Sequence, residues 1–174
     1  MVTLTQPLAQ DATPQAAAPE VSIVIPCLNE AETIEMVVRE ALDALHMAGI
    51  AGEIIVADNG STDGSRELAR GLGARVIAVE ARGYGAALMG GIAGSRGRFV
   101  IMGDADASYD FGSIPAFVAQ LRAGNALVMG CRLPSGGGEV QSGAMPFLHR
   151  WWGNPMFSWM VRRWFRAPIL RPDC

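Results

Sequence analysis

Five short apolar runs, 21–26, 53–58, 75–79, 98–103 and 126–131, are separated by segments whose apolar residues recur at helical spacing. A chain that alternates in this way folds as a mostly parallel sheet, because each strand reaches the next through a helix whose apolar stripe must be buried on the sheet. Between the first two runs, Ile34, Val37, Val38, Ala41, Leu42 and Leu45 form such a stripe. Glu30, Glu32 and Glu35 fall in its early turns, where the helix dipole favours acids, and Gly49 follows its end. Further helices are expected from Ser61 or Thr62 to Leu72, from Gly83 to Ser95, and from Ile114 to Ala123 with Pro115 in its first turn. The fold class is therefore α/β, an open, mostly parallel sheet flanked by helices. At 174 residues the chain is one domain, long enough to bury on the order of 70% of its unfolded surface.

The run Gly103-Asp104-Ala105-Asp106-Ala107-Ser108 closes the apolar stretch Phe99-Val100-Ile101-Met102. Alternate strand residues share a side, so Asp104 and Asp106 can converge on one ion, and oxygen-only ligands suit Mg²⁺ or Mn²⁺ better than zinc. Asp-x-Asp is also common in turns, which leaves solvated turn residues as the alternative. In an open α/β sheet, ligands sit beyond the carboxyl ends of the strands. Pro26 to Glu30, Ala57 to Asn59 and Asp104 to Asp106 would then line one crevice. No Gly-x-Gly-x-x-Gly follows the first strand, and Gly83-Tyr84-Gly85 does not complete that pattern, so a dinucleotide oxidoreductase is disfavoured.

The net charge is −3, and all 14 basic residues are arginines, which argues against general nucleic-acid binding. Cys27, Cys131 and Cys174 lie far apart without metal-ligand spacing, the pattern of reduced thiols in a cytosolic setting. Residues 1–20 carry no positive n-region and no apolar run, and read as a disordered tail rather than a signal peptide. No stretch reaches about 18 uninterrupted apolar residues, the length of a membrane span. A glycine-rich loop is expected over 133–146. Beyond it, 147–174 reads as an amphipathic helical segment holding all four tryptophans, Trp151, Trp152, Trp159 and Trp164. Asn154-Pro155 opens a helix there with Met156, Phe157, Met160, Val161 and Trp164 on one arc, and Arg162 and Arg166 opposite. Two readings stay open: an interfacial helix on an anionic bilayer, and a helix that caps the core with its arginines in water.

Five ordered blocks carry a family likeness: Val21 to Glu30, Glu53 to Ser65, Arg82-Gly83-Tyr84-Gly85-Ala86-Ala87, Asp104-Ala105-Asp106 and Met129-Gly130-Cys131-Arg132. In content, order and spacing they resemble the family 2 glycosyltransferases over about residues 20 to 174, nearest to the branch that uses polyprenyl (dolichyl-type) phosphates, the branch of dolichyl-phosphate mannose synthase. The resemblance implies a GT-A-like sheet and a nucleotide-sugar-binding domain over 21–132. It implies donor binding by Pro26, Leu28, Asn29, Glu30, Ala57, Asp58 and Asn59, and metal and diphosphate binding by Asp104, Ala105 and Asp106. Ser108 matches a third position near the metal, and Arg132 a phosphate-binding arginine. Arg82 is a weaker candidate for the phosphates, with a solvated loop arginine as the alternative. Asp106 and Asp173 are the implied catalytic acids, Asp173 as candidate base. Two departures stand out: Asn59 replaces the second acid of an Asp-Asp pair, and Leu28 replaces a frequent tyrosine. For Asp58, Asn59 and Asp63, turn and helix-cap duty remains open beside donor binding.

The implied reaction is displacement at the anomeric carbon of a GDP- or UDP-sugar by a polyprenyl phosphate, with inversion, assisted by Mg²⁺ or Mn²⁺ at the cytosolic face of a membrane. A saccharide or protein acceptor is a second reading. A non-catalytic module that binds nucleotide sugar or membrane is a third. A sugar nucleotidyltransferase fits poorly, because the chain has no lysine for a phosphate loop. Family members continue past Asp173-Cys174, so the chain reads as truncated at its C-terminus.

Overall fold

Strand β1, Val21–Cys27, is buried at every residue, as a central strand covered on both faces must be. In the computed structural model, residues 18–130 are described, together with Met156, Trp159, Met160, Arg163 and Trp164. After β1 come α1 (Ile34–Met47), β2 (Gly52–Asp58), α2 (Ser65–Gly71), β3 (Arg75–Ala78), α3 (Tyr84–Ala93) and β4 (Phe99–Met102). A short 3₁₀ turn, Phe111–Ser113, leads into α4, Ile114–Arg122. The strands pair in parallel in the order β3-β2-β1-β4. Chain direction across the sheet reverses beside β1, so the gap between the carboxyl ends of β1 and β4 is the switch point where open α/β sheets bind ligands.

Two periods of two share the strands between two layers. Ile23, Ile25, Ile54 and Val56 join Val37, Val38, Ala41 and Leu45 of α1 and Val118 of α4 in one buried cluster. Val24 and Ala57 lie against α3, which approaches closely because it is built on glycine: a Cβ at Gly90 would stand 2.6 Å from Val79 Cγ2, and one at Gly91 would strike Val24. Helices α1 and α2 stop the same way. Gly49 (φ +61°) and Gly73 (φ +88°) take the left-handed position after the last turn. The N–H groups of Ile50 and Ala74 return to the carbonyls of Leu45 and Ala69, closing a Schellman motif at each end.

Three expectations need correction. Residues 126–130 form no strand. An apolar run becomes a strand only by pairing its backbone, and Leu127 and Met129 stay 76% and 77% exposed. Helix α1 begins at Ile34, which leaves Glu30 and Glu32 in the preceding loop and only Glu35 in the first turn. Helix α2 begins at Ser65, not Ser61 or Thr62, because Gly64 sits at φ +95°, a left-handed conformation that no right-handed helix can run through.

The chain divides into two compact units, Met1–Ala123 and Gly124–Cys174. Every strand and helix named above lies in the first. In the second, Met156, Trp159, Met160, Arg163 and Trp164 are helical, and Met156, Trp159 and Trp164 are exposed. The expected 133–146 loop, the rest of 147–174 and residues 1–17 lie outside the described residues. Among the described residues, no helix is long and apolar enough to cross a membrane.

Candidate functional site

The loops after β1 and β2 hold each other. Asp58 is 1% exposed and spends its carboxylate on the N–H groups of Gly60 and Ser61, each at 3.1 Å, with Arg66 Nε at 3.5 Å. That turn presents Ser61, Asp63 and Ser65 to the β1 loop, where they accept the N–H groups of Asn29, Ala31 and Glu30 respectively, each at 2.9 Å. Asn29 returns the favour by accepting the N–H of Thr62 at 2.9 Å. It sits at φ +57°, a conformation that asparagine tolerates better than most residues. The Ser65 hydroxyl bonded to Asp63 outweighs desolvation and holds that carboxyl below its usual value. Asp58, Asp63 and Asn29 are thus framework: they fix the backbone of residues 28–31 without facing the crevice.

The crevice lies at the switch point and encloses about 370 Å³. One wall is Pro26, Cys27, Leu28 and Glu30 from β1 and its loop; the other is Asp104, Ala105 and Asp106 beyond β4. Asn59, Arg82, Gly83, Tyr84 and Ala87 close it. Burial pushes the Cys27 thiol up, so it contributes a neutral wall rather than a nucleophile. Strand β4 ends at Met102, and the two acids follow in a turn through Ala107 at φ +60°. Ala105 points into the core at 3% exposure, and both carboxylates that flank it border the crevice.

Tyr84 Oη donates to Asp104 Oδ1 at 2.7 Å. That bond, with burial and the charge of Asp104 acting the same way, has the tyrosine pKa pushed up to about 12, so the phenol is a donor at neutral pH. Asp106 Oδ1 accepts the N–H of Ser108 at 2.9 Å. Among the described residues no cluster of three His, Cys, Asp or Glu side chains could hold a metal alone. Two carboxylates on an open crevice are the donor set that a Mg²⁺ or Mn²⁺ ion accepts when phosphate oxygens and water complete its shell.

The fold brings together Pro26, Leu28, Glu30, Asn59, Asp104, Ala105 and Asp106 as expected, and Arg82 with them. It does not bring Asn29, Ala57, Asp58 or Ser108 to the crevice lining; Ala57 and Asp58 are buried in the end of β2. Arg132 and Asp173 lie outside the described residues. The sequence reading assigned nothing to Cys27, Tyr84 or Ala87. Tyr84 stood inside a quoted block, but its partner is 20 residues away and meets it only through the sheet order.

The four-stranded parallel sheet flanked by helices, with an acid-flanked crevice at its switch point, is a GT-A-like fold. The chain belongs to glycosyl transferase family 2, whose profile matches residues 22–169. It is 39% identical over 153 residues to the low-salt glycan biosynthesis hexosyltransferase Agl6 of Haloferax volcanii, covering 87% of this chain and 36% of that protein. An uncharacterized glycosyltransferase of Mycobacterium bovis is 35% identical over 157 residues, 88% of this chain and 64% of that protein. The chain thus spans less than two thirds of either relative. Among solved structures it is similar to glucosyl-3-phosphoglycerate synthase from Mycobacterium tuberculosis in complex with Mn²⁺, UDP-glucose and phosphoglyceric acid. The TM-score there is 0.52 at 33% identity, over 62% of this chain and 40% of that one. Mannosyl-3-phosphoglycerate synthase from Rubrobacter xylanophilus shares the fold, with a TM-score of 0.58 at 23% identity over 80% of this chain and 46% of that one.

Proposed function

We propose that the crevice binds a nucleoside diphosphate sugar together with Mn²⁺ or Mg²⁺, and that the protein containing this chain transfers the hexosyl group to a phosphate-bearing acceptor. The observation that carries the reading is the pairing of Asp104 and Asp106 on one wall of a switch-point crevice whose other wall is the β1 loop. Asp104 and Asp106 would hold the ion, which when bound neutralises charge that develops on the leaving diphosphate. Tyr84 keeps Asp104 turned toward the crevice, Pro26 and Leu28 give the nucleoside an apolar wall, and Glu30 offers a carboxylate to its hydroxyls. Arg82 supplies a planar five-donor group for phosphate oxygens. Arg132 is assigned to the same phosphates, and Asp173 to orienting the acceptor or taking its proton. A single displacement inverts the anomeric centre.

For the acceptor the first reading is a polyprenyl phosphate, as in the dolichyl-phosphate branch that the sequence blocks resemble. An acceptor phosphate is already ionised near neutral pH and needs no strong base. The exposed Trp159 and Trp164 beside Arg163 support a peripheral site on an anionic, cytosolic membrane face. A second reading, a small phosphorylated acid, is favoured by the phosphoglyceric acid in the similar mycobacterial structure. Incubation with labelled UDP-glucose or GDP-mannose, Mn²⁺ and each acceptor separates them. Label in the organic phase supports the lipid, and label in an anionic water-soluble product supports the small acid. If neither nucleotide binds in the presence of Mn²⁺, both readings fall.

A further inference from the structure

The amide of Asn59 is spent on a single strip of backbone. Nδ2 donates to the carbonyl oxygens of Val79 at 3.0 Å and Ala81 at 2.7 Å, and Oδ1 accepts the N–H of Gly83 at 2.7 Å. The strip therefore presents two acceptors and one donor to a group that must donate twice and accept once. Only an amide does so; a carboxylate, the group that the family resemblance leads one to expect here, has nothing to donate. The same strip delivers Arg82 and Tyr84 to the crevice, and Tyr84 continues to Asp104. Gly83, at φ +114°, is where the strip turns into α3, a conformation open to glycine and strained for other residues.

We propose that Asn59 is a positioning residue that clamps 79–83 and so sets Arg82 and Tyr84 against the diphosphate end of the crevice, and that its side chain does not read the nucleobase. The proposal rests on the reading that the crevice takes a nucleoside diphosphate. With both amide hydrogens committed to Val79 and Ala81 and Oδ1 accepting the Gly83 N–H, Asn59 keeps no donor and one lone pair, which would accept the ring N–H of uracil and of guanine alike and so tells neither base from the other. A clamp and a reader then differ in one measurable respect. Loss of a clamp weakens every nucleotide alike, whereas loss of a reader changes the preference between bases.

Calorimetric titration of the unmodified chain and of Asn59→Asp with UDP and with GDP, each with Mn²⁺, makes the comparison. The expected result is that both affinities fall by about tenfold or more and by the same factor, since a carboxylate can still accept the Gly83 N–H but leaves the Val79 and Ala81 carbonyls unpaired and facing a negative charge. A changed ratio of UDP to GDP affinity overturns the proposal, as does a variant that binds both as tightly as the unmodified chain. Amide exchange on the unmodified chain tests the clamp independently of nucleotide and of any variant's folding. The Gly83 N–H is expected to exchange about a hundredfold or more slowly than an open loop amide. Exchange at the open-loop rate overturns the clamp. If the Gly83 amide is protected but neither nucleotide binds, the clamp stands as structure, and the donor-site reading is what has failed.

Discussion

Asp58→Asn separates a framework acid from a ligand-binding one. The carboxylate is 1% exposed; Oδ1 accepts the Ser61 N–H at 3.1 Å, and Oδ2 accepts the N–H groups of Gly60 at 3.1 Å and, more weakly, of Ser61 at 3.3 Å. Asparagine has the same shape but one acceptor, so one N–H is left facing an NH₂ group. Losing a hydrogen bond to a buried charged acceptor costs about 1.5–3 kcal/mol. Arg66 adds little, because its Nε stands 3.5 Å away and its side chain is 36% exposed, and such pairs are worth about 0–1 kcal/mol. The sum is about 3 kcal/mol, which for a domain near 100 residues lowers Tm by on the order of 15 °C. Circular dichroism of thermal and urea unfolding reads it. A loss under about 0.5 kcal/mol, within the range of ordinary surface substitutions, would refute the assignment of Asp58 to the turn.

The pH dependence of stability should follow Glu53. Burial, which opposes its ionisation, is outweighed by hydrogen bonds from Ser22, the Arg96 N–H and Arg75, so its carboxyl lies below the ordinary 4.5 when folded. A depressed carboxyl stabilises above its unfolded value and loses that contribution as pH falls through the folded one; Glu53→Gln should therefore flatten the fall in urea midpoint between about pH 5 and pH 3. Gly97→Ala should destabilise by about 2 kcal/mol in urea, because its Cβ would meet the Ser22 nitrogen at 2.5 Å and the Val21 carbonyl carbon at 2.6 Å, backbone that cannot move aside. Gly85→Ala, in α3 with nothing within 4 Å, should instead stabilise, by about 0.5 kcal/mol. Equal midpoints for the two glycine variants would contradict this account of how the sheet is packed.

Strands β1 to β4 were readable because each is a short apolar run between helix-period segments, and the stripe Ile34, Val37, Val38, Ala41 and Leu45 is buried as its spacing requires. The run 126–131 had the same kind of composition, but its described residues, 126–130, pair with no strand among the described residues, and composition does not report a missing partner. Pro26, Glu30, Asp104 and Asp106 were legible as crevice residues because they stand in or just beyond the carboxyl ends of strands that finish on one edge. The division of labour inside the Asp58 to Ser65 block was not. Whether Asp58 faces a ligand or its own turn depends on hydrogen bonds within two or three residues and on where Asn29 sits, 33 residues from its partner Thr62. The bond from Tyr84 to Asp104 and the clamp from Asn59 to Gly83 arise from strand order, which local pattern does not specify.

The central claim is that Asp104, with Asp106, couples a divalent ion to a nucleoside diphosphate. Titrating UDP and GDP into the unmodified chain and into Asp104→Ala, each with and without Mn²⁺, tests it most directly. Mn²⁺ should tighten the favoured nucleotide by about tenfold or more in the unmodified chain, one charge-assisted interaction's worth, and leave Asp104→Ala unaffected while its unfolding midpoint stays close to that of the unmodified chain. Mn²⁺ dependence that survives intact in Asp104→Ala would contradict the account.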